Sequence, residues 1–347
     1  MTIWPWRKFQ GAFLTLAILI LVLIAPAFAQ HAAACTVSVH LGESIQKAID
    51  QATEEAVIFL SPGMWEGNLK IEKSLTLRGA EEGETVVKAA IEGCPVIWIE
   101  GTKKDRQITV AISNLTIIGG YGECQTAGIC ADGLLVRGTG HATLTNCAIR
   151  KNYGGIRVLD SAQATVTDSV ISENGFGMGL VHSAQATLTS CTISTNKWHG
   201  ILVMDTAHAT VADCSISENN GGIKLFDSSQ TTISACTISD NTFGIELVDS
   251  AQTTISYCTI SENRDDGIWL ADTAQAKIDQ NKIISNGNYG ITLYQHPCYD
   301  TKGIFAGQLS GSKNLIVAPD DLAPHQGGTL CPDYPGDPWP DGFLKEN

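Results

Sequence analysis

Five aspartates recur down the middle of the chain, Asp160, Asp205, Asp227, Asp249 and Asp272, and His182 fills the one gap in their 22- or 23-residue spacing. Carboxylates stacked in that way could bridge calcium, a hard cation that takes oxygen ligands. Left bare they would repel one another across about 4.8 Å. The plainer reading makes each an Asx-type corner that bonds backbone amides two residues on. His182, Met204 and His208 fall on two successive repeats near one corner. Imidazole and thioether are copper ligands, although two histidines replacing Asp and Gln in their rows are also ordinary sequence drift.

A second row follows a recurrent glycine and carries Arg157, Gly179, Leu202, Lys224, Glu246, Trp269 and Thr292. Arg157 stands near Asp160, and Lys224 faces Glu246 one repeat away; each reads as a surface ion pair. Two positions further on runs an apolar row, Leu159, Val181, Met204, Phe226, Val248, Ala271 and Tyr294. It is either covered by the C-terminal segment or left open as a strip for a glycan, a lipid or a protein. Tyr153, Phe176, Trp198, Phe243 and Tyr289 precede the glycines. Aromatic faces suit the apolar faces of sugar rings, and they equally suit stacking between repeats. The longer corner Arg264-Asp265-Asp266 lies beside Trp269 and breaks the pattern. The candidate ligand contacts are therefore Trp269, Asp265, Asp266, Glu246, Lys224, Arg157, Trp198 and Phe226.

The elements that would position these rows follow from the repeat. Asn152, Asn174, Asn196, Asn219, Asn241, Asn263 and Asn286 mark seven near-identical units, and a fixed period of this length means a solenoid. Inside each unit apolar residues alternate with polar ones, as at Ile245-x-Leu247, Thr253-x-Ile255 and Cys258-x-Ile260. Alternation of two gives strands, three to a coil. The expected fold is all-β: a single right-handed parallel β-helix of about ten coils. Stacked coils turn identical residues into ladders. Met178, Ile201, Ile223, Ile245, Ile268 and Ile291 are expected inside, as are Cys147, Cys191, Cys214, Cys236 and Cys258 with Ser169. The asparagines are expected to satisfy backbone groups at a corner, and the glycines to supply positive φ or close approach. Ile45, Ala48, Ile49 and Ala52 share one helical face, which predicts a helix over the open first coil. The domain reading is 30–56 as that N-terminal cap, 57–295 as the β-helix and 296–347 as an irregular capping segment.

Residues 1–29 read as a signal peptide. Arg7 and Lys8 precede the apolar run Ala12–Ile24, and Ala27-Phe28-Ala29 offers a small-x-small cleavage site. The run is too short for a spanning helix, so the mature chain is expected outside the cytoplasm, secreted or periplasmic, and not integral to a membrane. Losing the leader takes the formal net charge from −14 to −16. So acidic a surface disfavours nucleic acid and anionic lipid and is compatible with cations, neutral glycans or basic partners. Cysteines outside the interior ladder suggest Cys124–Cys130 and Cys298–Cys331 disulfides, with Cys35–Cys94 as a further pairing. No Cys-x-x-Cys spacing suggests a thiolate metal site.

With Gly-Ile-x-Leu, Ile-Ser-x-Asn and Asn-x-x-Gly elements recurring through the seven coils, and openings such as Ser61-Pro62-Gly63 and Leu75-Thr76-Leu77-Arg78-Gly79, the chain resembles the parallel β-helix proteins of the pectin-lyase-like superfamily. It looks most similar to the NosD-like group with carbohydrate-binding and sugar-hydrolysis type repeats. That resemblance implies several activities on one scaffold. Lyases of this kind pair calcium-binding carboxylates with an Arg base, hydrolases use close carboxylate pairs, and NosD-like proteins are associated with copper delivery. The Gly-His-Gly of the pectin hydrolases is absent, with Trp198-His199-Gly200 a partial echo. The sequence therefore leads to an exported, non-catalytic β-helix that binds a polysaccharide or cell-surface partner along one lateral face. A polysaccharide lyase or glycoside hydrolase is the alternative, and a periplasmic copper accessory protein the third reading.

Overall fold

In each regular coil the alternating side chains fall into three short strands, and the strands stack into three parallel sheets. The computed structural model describes residues 35–81, 83–102, 107–122, 130–295, 305–317, 328–331, 339–340 and 342–344. All of them belong to one unit, Cys35–Asn347; residues 1–29, where a signal peptide is expected, lie outside the described residues. Among the described residues the sheets hold 12, 11 and 11 strands, each stacked on its counterpart one coil away. A typical coil runs Gly154–Val158 in the third sheet, Gln163–Thr167 in the first and Val170–Ser172 in the second. Its partners in the next coil are Phe176–Leu180, Gln185–Thr189 and Thr192–Ser194, all parallel and in register.

Register makes the ladders. Met178, Ile201, Ile223, Ile245, Ile268 and Ile291 are fully buried in one inward column, and the five cysteines are at most 3% exposed. Their thiols donate to backbone carbonyls, as Cys191 Sγ does to Val166 O at 3.4 Å, so they pack as small apolar groups. Asparagines tie the coils together at the corner before the third sheet. Asn196 gives both its backbone N–H and its Nδ2 to Asn219 Oδ1, at 3.0 and 2.9 Å.

The glycines act by close approach. Gly155 and Gly177 have no positive φ; a Cβ on Gly155 would sit 2.3 Å from Gly177 O in the next coil. Left-handed conformations fall instead on non-glycine corner residues such as Asp160, Asp168 and Glu173, one at each corner of the coil.

Both ends are closed. The helix Ile45–Gln51 is capped by Ser44, whose Oγ accepts the Lys47 N–H, and it buries Ile45 and Ile49 against the core. Before it, Thr36–Val39 already forms a strand of the first sheet, paired with Ala56–Leu60. At the far end the repeat does not stop at Tyr294. Gln308–Ser312, Leu315–Val317 and Gly328–Cys331 add a further strand to each sheet. Asn314 stands 33 residues after Asn281 and accepts its backbone N–H, so the period is stretched too far to be read by spacing. Phe343, 1% exposed, covers the core beneath this coil.

Candidate functional site

The outward row of the third sheet collects most of the side chains singled out by sequence. Arg157, Gly179, Leu202, Lys224, Glu246, Trp269 and Thr292 pair one to the next in register. Two clusters form on it.

The first is built on a partner the repeat concealed. Arg157 does not pair with Asp160; its Nε and Nη2 reach Asp132 Oδ2 and Oδ1 at 2.7 and 3.2 Å. Asp132 is fully buried. Burial pushes its carboxyl pKa up, and the guanidinium pulls it part of the way back. The guanidinium also lies 4.7 Å from the centre of the Phe176 ring. Tyr153 meets Phe176 edge-on at 6.4 Å and Trp198 at 5.5 Å, and Trp198 is 38% exposed. Gly154 makes room for this wedge, since a Cβ there would lie 2.2 Å from the Phe176 ring. Asp132 belongs to an irregular coil, so its register with the Gly154, Phe176 and His199 column was not visible. The same column carries a second carboxylate, Asp266, between Phe243 and Tyr289, and small or aromatic residues in the coils between.

The second cluster spans the next coils. Lys224 Nζ bonds Glu246 Oε1 at 3.0 Å and lies 5.1 Å from the Phe226 ring. Glu246 is only 6% exposed, so a buried carboxylate pairs with a half-buried lysine. Burial raises the Glu246 pKa; Lys224 opposes the shift and Asp265 adds to it. Asp265 is itself raised by burial. His199, which sequence analysis passed over as a partial motif, joins them. Its Nδ1 and Glu246 Oε2 lie 2.5 and 3.1 Å from the point a Gly221 Cβ would occupy. That nitrogen is buried without a hydrogen-bond partner, and burial beside Lys224 lowers the imidazole pKa to about 4. Trp269 packs on Tyr294 at 5.2 Å. Asp266 leaves the candidate list as a ligand contact. It is fully buried, and its Oδ1 accepts Asn288 Nδ2 and the Tyr289 N–H at 2.9 and 3.1 Å, which fixes the corner.

These shifts have opposite consequences for stability. His199 is protonated in the unfolded chain below an ordinary pKa of 6.5 but in the folded chain only near 4. Its contribution is intact above pH 6.5 and is lost as the pH falls toward 4, by at most ~3 kcal/mol. Glu246 and Asp265, raised by burial, run the other way, because protonation relieves their cost. A His199→Gln variant is therefore expected to lose less stability than the wild type between pH 6.5 and 4.5 in chemical denaturation. Identical pH dependence in the two proteins would contradict the assignment.

The aspartate ladder is satisfied between coils, and not two residues on. Asp205 Oδ2 accepts the His182 N–H at 2.8 Å and Asp227 Oδ2 the Asp205 N–H at 3.1 Å. Asp249 and Asp272 repeat the bond, at 3.3 Å each, and Asp160 Oδ2 takes the Gly138 N–H at 3.0 Å. Each carboxylate thus spends an oxygen on an amide. Among the described residues no three His, Cys, Asp or Glu side chains gather to hold a metal ion. His182 Nδ1 already accepts the Asp160 N–H at 3.2 Å. His208 stands in a different column, between Gln185 and Gln230 of the first sheet, and Met204 is half-buried in the apolar row. That row has no fully exposed member: Leu159 and Ala271 are buried and the others half-buried.

Cys130 and Cys331 are disulfide-bonded; Cys124 and Cys298, the partners expected for them, lie outside the described residues. Cys35 is a free thiol, so the Cys35–Cys94 bond does not form.

The model of the right-handed β-helix region matches residues 96–232 and 181–303, more than half of the chain. The chain belongs to the right-handed β-helix family. No curated relative matches the sequence. Among solved structures this β-helix is similar to a polygalacturonase from Erwinia carotovora ssp. carotovora, at 11% identity and a TM-score of 0.62 over 86% of this chain and 96% of that one. It is also similar to the A-module of the mannuronan C-5 epimerase AlgE4 of Azotobacter vinelandii, at 18% identity and 0.57 over 82% and 94%. ORF18 of Geobacillus virus E2 matches at 14% identity and 0.60, and there the β-helix covers 82% of its own length but 61% of the viral chain. At such identities these likenesses establish the pectin-lyase-like fold alone.

Proposed function

We propose that this β-helix is an exported protein that holds a polysaccharide or cell-surface glycan along the outward face of its third sheet without cleaving it. One observation carries the reading. Aromatic rings recur along that face beside charge pairs that are already closed: Phe176 by Arg157–Asp132, with Trp198 joined to it through Tyr153 at the corner, and Phe226 and Trp269 by Lys224–Glu246. Rings offer apolar faces to sugars, and the pairs offer hydroxyl partners in fixed positions. Arg157 is committed to Asp132 by two bonds and is not free to act as a base. The leader 1–29 and the disulfide-bonded Cys130 and Cys331 support an oxidising compartment outside the cytoplasm; we assign the bonds to Cys124–Cys130 and Cys298–Cys331. Among the described residues no helix is long and apolar enough to cross a membrane.

A second reading rests on the raised carboxyls. Glu246 beside Asp265 offers a proton donor of the kind a glycan-active enzyme uses, a lyase or hydrolase. Affinity electrophoresis of exported protein beginning at Gln30, against a panel of glycans, separates the two. Trp198→Ala and Trp269→Ala should each weaken retention about tenfold or more, roughly 1.4 kcal/mol, while Tyr257→Ala, on another corner, leaves it unchanged. Product release that vanishes in Glu246→Gln would establish the enzyme instead.

A further inference from the structure

The first sheet presents a different surface. Its strands put Gln163, Gln185, His208, Gln230, Gln252, Gln275 and Gln308 into one outward row, each in register with the next. Beside it runs Thr165, Thr187, Thr210, Thr232 and Thr254, continued by Lys277 and Ser310 in the same pairings. Between His208 and Gln308 the two rows line a shallow groove of about 360 Å³ that follows the solenoid axis.

We propose that this groove is a second carbohydrate site, built for an uncharged, extended polysaccharide lying parallel to the axis with one sugar to each coil.

Three features lead there. The first is unused hydrogen-bonding capacity. The corner asparagines spend their amides within the protein, Asn219 alone making three side-chain donations. The side chains of Gln185, Gln230, Gln252, Gln275 and Gln308 are exposed and make no hydrogen bond among the described residues. Every rung but that of His208 therefore presents an amide donor, an amide acceptor and, in most coils, a hydroxyl.

The second is charge. The chain carries a formal net charge of −14, yet neither row contains an Asp or Glu. The lysine in them, Lys277, lies 3.5 Å from Asp279. A neutral polymer forfeits nothing here, whereas a polyuronide meets one lysine, already beside Asp279, against the acidic body of the protein. The rows hold no Phe, Tyr or Trp, so recognition would come from hydroxyl-to-amide bonding along the edges of the sugars.

The third is spacing. Coils rise by about 4.8 Å, close to the advance of one pyranose in an extended β-linked chain. A glycan along the axis thus meets a glutamine at four of the five groove rungs, paired with Thr232, Thr254, Lys277 or Ser310, and His208 with Thr210 at the fifth. Weak single contacts then add along the chain, as in other multivalent binding. This site is independent of the third-sheet reading, whose aromatic clusters lie on another face.

The test uses affinity electrophoresis of the full exported chain in gels containing hydroxyethylcellulose, arabinoxylan or polygalacturonate. One variant carries Gln230→Ala, Gln252→Ala and Gln275→Ala together; these side chains are exposed, and thermal melts by circular dichroism should match the wild type. The expected result is retardation by at least one neutral polymer that falls tenfold or more in the triple variant. The same retardation should be unchanged in Trp198→Ala and Trp269→Ala. Three results would overturn the proposal: no retardation by either neutral polymer, retardation that the triple variant retains, or polygalacturonate bound through the glutamines as tightly as the neutral chains. Loss of binding in the tryptophan variants alone would support the third-sheet site and leave the first-sheet site refuted.

Discussion

Replacing Asn219 with alanine will destabilise the fold by ~3–5 kcal/mol, because it strands buried groups on both sides of the coil. The side chain is 4% exposed. Its Nδ2 donates to Ile193 O, Ser217 O and Asn241 Oδ1 at 3.1, 2.9 and 3.1 Å. Its Oδ1 accepts both the backbone N–H and Nδ2 of Asn196. Alanine returns none of these bonds. Aspartate at the same position keeps the acceptor and loses the donor, and it sets a carboxylate against Asn241 Oδ1. Asn219→Asp is therefore expected to be less stable at pH 7 than at pH 4, where the protonated acid can donate. By contrast, Gln230→Ala, on the open face of the first sheet, should stay within about 0.5 kcal/mol of wild type. Urea denaturation followed by circular dichroism measures all three, and an Asn219→Ala variant as stable as Gln230→Ala would contradict the role given to the asparagines.

Arg157→Ala is the second large effect. It leaves the Asp132 carboxylate fully buried and without its bidentate partner, at a cost of ~3–5 kcal/mol near neutral pH. The sign of the pH dependence follows from burial. Asp132 already titrates above its ordinary value of 3.8, so its burial cost grows as the pH rises through its folded pKa. Removing Arg157 raises that pKa further, and the folded variant takes up a proton where the wild type does not. The deficit relative to wild type should therefore be largest near pH 7.5 and shrink toward pH 4.5. Arg157→Lys keeps the charge but not the fork, and should recover part of the loss. Equal deficits at both pH values would show that lost packing on Phe176, not the stranded carboxylate, dominates.

How much of this was legible in the sequence depended on whether a feature repeated. The inward isoleucine and cysteine columns, the asparagine corners and the outward row from Arg157 to Thr292 all follow from a period of 22 or 23 residues, since stacking in register leaves little choice of neighbour. What broke the period was hidden. Asp132 sits in an irregular coil, so Arg157 was matched with nearby Asp160. The last coil is displaced by the 33 residues between Asn281 and Asn314, and read as an irregular cap. His199 looked like a fragment of a motif; its weight comes from burial beside Lys224 and Glu246, which spacing alone does not report. The aspartates were assigned to their own corners. Their amide partners are one coil away, because the left-handed backbone at Asp160, Asp205 and their counterparts turns the N–H toward the neighbouring carboxylate.

The measurement that bears most directly on the central claim is a glycan and polyuronide array probed with the mature protein, with calcium and with chelator, scored for both retention and released sugar. The account predicts retention of a polysaccharide without products, unchanged by chelator and lost about tenfold or more in Trp198→Ala and Trp269→Ala. Released unsaturated or reducing sugar, or retention indifferent to both tryptophans, would contradict it.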